Sequence, residues 1–410
     1  MKILVVSAVF PPEPVVSARL SSDLYEYLRM AGHEVRVVCP VPSRGTGKDA
    51  VGAKEVLDPD IVRLDSFRCP ESRLLGRARE SWDFGRHVAT WMRHASRDGL
   101  DVVYANVWPL FGQRLIVQAA EALGVPVVLH VQDVYPESLV TKVPPWLYRV
   151  GAPMLKAMDS TVVKRCAAVV LISERISLAY TRSRNVKNRA YVVRNWVDAE
   201  PFSIPYNRSE VCSRYGVPSD CFTFMYLGNL SALSGLDVAI RAFAKVASQK
   251  RQFVIIGEGS AKESCQRLVQ DMGLANVLFR SEPDPQKVAQ LQSMADVFLL
   301  TTKKGGAISS TPSKCISYML SAKPIVAAVD PESDVADDLR NACCAWLCPP
   351  EDVESFANAM LIAESTPAVQ RLEMGSSARN YALRNFSRQV GLQELERILV
   401  KAGQRAKCPR

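Results

Sequence analysis

Residues 297–330, VFLLTTKKGGAISSTPSKCISYMLSAKPIVAAVD, concentrate the residue types that hold anions. Lys303, Lys304, Gly305, Gly306, Ser309, Ser310, Pro312, Ser313 and Lys314 lie between an apolar strand pattern and a helix predicted to begin near Pro312. Open N–H groups at a helix start, the positive end of the helix dipole and three lysines favour negative charge there, and phosphate is the economical ligand. An ordinary strand-to-helix loop with solvated lysines fits the same residues.

Other loops hold further candidates. Gly228, Asn229 and Ser234 form one small-residue turn, and Gly257 and Gly259 form another. His130 and Asp133 are predicted to project from a strand end, where such residues on their own more often serve structure than chemistry. Glu137, after Pro136, has a helix-cap reading. Pro12, Ser17 and Arg19 surround the start of the first helix. Arg19 has two readings: a cation for a substrate phosphate, or a surface partner of Glu13 or Asp23.

The elements that must position these residues alternate regularly. Residues 1–9 (MKILVVSAV) read as a buried strand, 17–30 as a helix with Leu20, Leu24, Tyr27 and Leu28 on one face, and 33–39 as the next strand. Strand patterns follow at 101–104, 126–131, 167–172 and 190–193. The pattern restarts with strands at 222–227, 252–256, 277–279, 297–300, 324–328 and 345–347. Strands alternating with helices of this length predict an α/β protein of two doubly wound, Rossmann-like parallel sheets. The reading gives an N-terminal domain over 1–205 and a C-terminal domain over 206–387, with a helix at about 388–410 free to pack back onto the first. Ligands of such sheets sit outside the carboxyl ends of the strands, so two facing domains imply a cleft suited to a two-substrate transfer.

A chain of 410 residues exceeds what one core usually serves. Its 11 cysteines are scattered, and Cys343, Cys344 and Cys348 lack paired CxxC spacing, so reduced core thiols fit better than zinc. With 4 histidines a multi-His metal centre is not expected. The net charge of +9 is spread among acids without aromatic interleaving, which argues against nucleic acid and suits a diphosphate or an anionic lipid. No apolar run is long enough to span a bilayer, and residues 3–10 are too short for a signal peptide, so a cytoplasmic location is expected. The segment 143–164 mixes Trp146, Leu147, Tyr148, Val150 and Leu155 with Arg149, Lys156 and Lys164. It suits a membrane interface, and equally an amphipathic helix packed on its own sheet. A dinucleotide-binding oxidoreductase is disfavoured, because the first loop reads FPPEP rather than GxGxxG.

Six segments in register resemble the GT-B glycosyltransferases, and within them the retaining family 4. They are the opening unit ending in Ala31-Gly32-His33-Glu34-Val35, then HVQDVYPES at 130–138 and VVRNWVDAEPF at 192–202. YLGNLSALSGLD, IIGEGSAKE and TPSKCISYMLSAKPIVAAVD complete the set. The Pro312-Ser313-Lys314 run with Tyr318 resembles a subgroup around bacterial colanic-acid and O-antigen transferases, including aminofucose transferases. The resemblance implies transfer of a sugar, with retention and without metal or other cofactor, from a nucleoside diphosphate, UDP by expectation. The acceptor would be a saccharide, lipid-diphosphate-linked by expectation, in surface polysaccharide assembly at the cytoplasmic face of the inner membrane. His130 would contact the donor sugar and Asp133 the acceptor hydroxyl as catalytic residues, with Pro12, Ser17 and Arg19 on the acceptor. The donor would meet Gly228, Asn229, Ser234, Gly257, Gly259, residues 303–306, Ser309, Ser310, Pro312, Ser313, Lys314 and Ser317. The chain departs from the family's E-x7-E motif, whose acids fall on Ser309 and Ser317. Basic residues usual at 229 and 234 are also absent, which leaves Lys303, Lys304 and Lys314 to neutralise the diphosphate. The alternatives are a nucleotide-sugar 2-epimerase or hydrolase on the same frame, or a non-catalytic sugar-nucleotide-binding protein.

Overall fold

A computed structural model describes residues 1–13, 15–42, 58–69, 74–95, 99–140, 143–282, 284–304 and 313–407. The first sheet contains β1 (Lys2–Ser7), β2 (Glu34–Pro40), β3 (Ile61–Leu64), β4 (Val102–Asn106), β5 (Val127–Val131), β6 (Ala168–Leu171) and β7 (Ala190–Val192). Their order is β3-β2-β1-β4-β5-β6-β7, every neighbouring pair parallel. Parallel strands need crossover connections, so helices cover both faces and the strands read as apolar runs. Leu4, Val6, Val103, Leu129 and Leu171 accordingly lie in one buried cluster with Phe84, Val88 and Met92. Strand order reverses between β1 and β4, which makes the loops after them the switch point of this sheet.

The second sheet contains β8 (Phe222–Leu227), β9 (Arg251–Ile256), β10 (Val277–Arg280), β11 (Val297–Thr301), β12 (Ile325–Ala328) and β13 (Ala345–Cys348). The order β10-β9-β8-β11-β12-β13 is again parallel, with its reversal between β8 and β11. Alternate residues feed two cores: Val254 and Ile256 of β9 enter one, Phe253 and Ile255 the other.

The chain divides into two compact units, residues 1–195 with 389–410, and residues 196–388. The C-terminal helix Arg388–Lys407 is tied to the first unit through Glu396, which accepts from Tyr27 Oη at 2.9 Å and meets His33 Nε2 at 3.0 Å. β3 and the Leu74–Ala95 helix are among the elements that the sequence reading did not name. β3 is a half-buried edge strand too short to show alternation. The Leu74–Ala95 helix buries Phe84, Val88 and Met92 at a four-residue period that the sequence does contain. The Pro145–Arg165 helix divides along its length: Asp159, Val162 and Val163 are buried, whereas Trp146, Leu147, Val150 and Met154 are exposed. The buried thiols Cys166 and Cys344 are each pushed up to about 12 by burial, which leaves them protonated and unreactive.

Candidate functional site

In the second unit the candidates gather at the carboxyl ends of β8, β9 and β11. The turns after β8 and β9 interlock: Gly228 N–H donates to Ile256 O, Leu230 N–H to Glu258 O, and Ala261 N–H to Leu230 O, at 2.8 to 3.0 Å. A Cβ on Gly257 would stand 2.0 Å from Gly228 O, and one on Gly259 would stand 2.4 Å from Leu230 O. Glycine is therefore required here by loop-to-loop packing.

Lys314 rises from the first turn of the Ser313–Leu320 helix into the space beside these turns. Its Nζ donates to Tyr226 Oη at 2.5 Å and stands 4.4 Å from the centre of that ring. Tyr226 Oη in turn donates to Asn229 O at 2.9 Å. The Lys314 stem lies 3.5 Å from the place a Cβ on Gly228 would occupy. Among the described residues no carboxylate faces this ammonium, and burial alone lowers its pKa to about 8. A desolvated cation without a counter-charge is costly in the empty protein and becomes favourable once an anion arrives. Tyr318, one helical turn on, locks the helix to β8 by accepting from Leu227 N–H at 2.8 Å and donating to Leu227 O at 3.0 Å. Its ring stacks on Phe298 at 4.1 Å.

Three expectations change with these contacts. Lys303 is already neutralised, with Nζ 2.8 Å from Asp237 and 3.5 Å from Glu351, so it brings no spare charge to a diphosphate. Ser317 is buried and turned inward; its hydroxyl donates to Lys314 O and accepts from Gln292 Nε2 at 3.0 Å. Ser234 spends its hydroxyl on Ser231 O at 2.6 Å within its own turn. Lys304 and Ser313 are exposed, while Gly305, Gly306, Ser309, Ser310 and Pro312 lie outside the described residues.

In the first unit His130 does not project from the strand end. It is 1% exposed within β5 because the strand is covered on both faces. Asn195 Nδ2 donates to Gln132 Oε1 at 2.9 Å, Gln132 Nε2 approaches His130 Nε2 at 3.0 Å, and His130 Nδ1 approaches Tyr104 Oη at 2.6 Å. With this amide orientation His130 is neutral and carries its proton on Nδ1. Burial lowers its pKa to about 4, so it stays neutral at physiological pH. Asp133 is exposed just past the strand. Pro12 and Arg19 are exposed, and Ser17 half-buried, beyond β1 on the same carboxyl edge.

Glu137 is an ion-pair partner rather than a cap. The Arg184 guanidinium, fully buried, grips both Glu137 oxygens at 2.5 and 2.8 Å, donates to Tyr135 O at 2.6 Å and meets Asp159 at 2.9 Å. Tyr180 Oη also donates to Asp159, at 3.0 Å. This network holds the loop after β5 onto two helices. Sequence reasoning missed Arg184, Tyr104 and Tyr226. None of the three carried a usable signal, because their partners Asp159, His130 and Lys314 lie 25, 26 and 88 positions away in the chain.

Residues 17–196 match the family described as glycosyl transferase 4-like domain, and residues 221–363 that described as glycosyl transferases group 1. A Pseudomonas aeruginosa protein named as the glycosyltransferase WbjE is 24% identical over 346 residues, 83% of this chain and 84% of that protein. An Escherichia coli K12 protein named as the colanic acid biosynthesis glycosyl transferase WcaI is 24% identical over 420 residues, 96% of this chain and 98% of that protein. Among solved structures, Anabaena HepE in complex with UDP superposes with a TM-score of 0.72 at 17% identity, covering 98% of this chain and 100% of that one. WaaG, a glycosyltransferase involved in lipopolysaccharide biosynthesis, gives 0.70 at 15% identity, covering 97% and 99%.

Proposed function

We propose that the chain, which matches a 4-like domain followed by a group 1 domain, is a glycosyltransferase of GT-B type that transfers a sugar from UDP with retention of the anomeric configuration. The acceptor is a saccharide, carried on a lipid diphosphate, in the assembly of a bacterial surface polysaccharide at the cytoplasmic face of the membrane. Relatives named for colanic acid biosynthesis and a structural neighbour that holds UDP support this reading.

The observation that carries it is the half-buried Lys314 ammonium beside the glycine turns, facing no carboxylate among the described residues. As the anomeric C–O bond breaks, negative charge grows on the leaving diphosphate, and a fixed cation aimed at it lowers the barrier without a divalent ion. Lys314 takes this role, with Lys304 and the Asn229 N–H beside the phosphates. Retention follows when the acceptor hydroxyl attacks from the face the diphosphate leaves. Asp133 accepts the hydrogen bond of that hydroxyl. His130, neutral and enclosed, acts as a positioning residue for Gln132 and the loop that bears Asp133. Pro12, Ser17 and Arg19 contact the acceptor side.

Calorimetric titration with UDP, GDP and ADP in the presence of EDTA tests the donor site, with UDP expected to bind. Incubation with UDP-sugars and a lipid extract, read by mass spectrometry, tests transfer. Release of free sugar as the sole product, or failure to bind any nucleoside diphosphate, would overturn the proposal.

A further inference from the structure

The loop after β5 is fastened on both sides of Asp133. Before it, Gln132 accepts from Asn195 Nδ2 at 2.9 Å and reaches the enclosed His130 ring. After it, Ser138 N–H donates back to Val134 O at 2.9 Å and Leu139 N–H to Pro136 O at 2.8 Å, which folds residues 134–139 into one compact turn. Arg184, the last residue of the Glu174–Arg184 helix, grips that turn from a fully buried position. Five bonds of 2.5 to 2.9 Å use every nitrogen of its guanidinium. Nε donates to Asp159, Nη1 to Glu137 and Ser183 Oγ, and Nη2 to Glu137 and Tyr135 O. The Tyr180 ring backs the guanidinium, its centre 4.4 Å from Cζ.

Stability alone does not call for this arrangement. Well-packed apolar side chains of similar volume hold a core as firmly as a buried ion network, whose charges must first leave water. What the network adds is direction. A planar guanidinium that bonds a carboxylate at both oxygens and a backbone carbonyl beside it admits one placement of the turn. The Glu137 side chain is 41% exposed, so water alone would satisfy its charge; the bond to Arg184 removes freedom from the loop instead. Asp133 differs from its neighbours. It is exposed and, among the described residues, makes no hydrogen bond or ion pair. A carboxylate with open lone pairs, held between two anchored stretches of chain, is set to accept from a hydroxyl.

We infer that Arg184 and Glu137 are positioning residues for sugar transfer, holding the turn so that the Asp133 carboxylate meets the acceptor hydroxyl at hydrogen-bond distance. Both act through residues 134–136 and not by touching a substrate. The inference rests on the reading of Asp133 given above and extends it to the groups that fix its place. Misplacing a reacting group by about 1 Å costs up to about a hundredfold in rate, so loosening this clamp acts on turnover. Donor affinity, assigned above to the second unit, is left alone.

Transfer kinetics of the full chain with a UDP-sugar and the lipid extract, together with hydrogen exchange of the loop amides, are the test. Glu137→Gln keeps the side chain's size and one acceptor but gives up the two-oxygen grip. Its kcat should fall about tenfold, with UDP affinity unchanged. Arg184→Lys keeps a cation for Asp159, and so the fold, but cannot span Glu137 and Tyr135 O together. It should lose kcat to a similar extent. Exchange of the Ser138 and Leu139 amides should quicken in both variants. The decisive arm is a double-mutant cycle with Asp133→Ala. In that background Glu137→Gln should lower the residual turnover no further, because no carboxylate is left to place. Additive losses, full turnover in Glu137→Gln, or unchanged exchange would overturn the inference. Wild-type turnover in Asp133→Ala would overturn the reading of Asp133 and the inference with it. A loss in Asp133→Ala without one in Glu137→Gln sinks the positioning role alone.

Discussion

Replacing Lys314 by methionine should strengthen the fold and weaken the ligand at once. The ammonium's pKa is lowered from 10.5 to about 8 by burial alone. At about 1.36 kcal/mol per tenfold in proton affinity, this corresponds to a cost on the order of 3 kcal/mol for keeping the charge inside. The unfolded chain holds that proton up to about 10.5, whereas the folded one releases it near 8. The cost is therefore fully present below about pH 8 and disappears by about pH 10.5. Methionine keeps most of the stem's packing and removes the charge, so Lys314→Met should gain about 1–3 kcal/mol in urea unfolding at pH 7. The gain is smaller than the full cost because the contact with Tyr226 is also lost. A bound diphosphate reverses the balance by giving the ammonium its counter-charge. UDP affinity should then fall about a hundredfold in the variant, as the same free energy is no longer recovered on binding. Wild-type affinity should stay level up to about pH 8 and then fall toward tenfold per pH unit, as binding must first restore the proton. The variant should lack that slope. Calorimetry across pH 6.5–9.5 reads all of this, and a variant that is less stable yet binds UDP as tightly as wild type would refute the reasoning.

Four further outcomes follow from the geometry. His130, lowered to about 4 by burial, should make stability fall as pH drops from about 6.5 to 4, by up to about 3 kcal/mol. His130→Asn should flatten that part of the acid-unfolding curve, and an unchanged slope would count against the enclosed ring. Arg184→Met should cost about 3–5 kcal/mol in chemical denaturation, since Asp159 is left buried without its cation; a loss under about 1 kcal/mol would show the network to be dispensable. Gly257→Ala must move Gly228, whose carbonyl stands 2.0 Å from the new Cβ, so UDP binding and melting temperature should both drop. Gly273→Ala, with nothing within 4 Å and only a left-handed φ to strain, should cost about 1 kcal/mol and leave UDP binding intact.

The amino-acid sequence by itself determined the architecture. Buried parallel strands must be apolar on both faces and must alternate with crossover helices, so β1, β4, β5, β8, β9 and β11 stand out as short continuous runs. The turns carrying Gly228, Gly257 and Gly259 were legible too, because only glycine accepts such close backbone approach. Tertiary structure alone decided the charge state of the site. Lys303 and Lys314 are the same residue type eleven positions apart, yet Asp237 and Glu351 neutralise one while Tyr226 and a packed helix desolvate the other. His130 and Ser317 likewise turn inward, toward Tyr104 and Gln292, residues 26 and 25 positions away in the chain. Periodicity records which face of an element is apolar. The electrostatics of a buried group depend on which distant side chains the fold brings within a few ångströms.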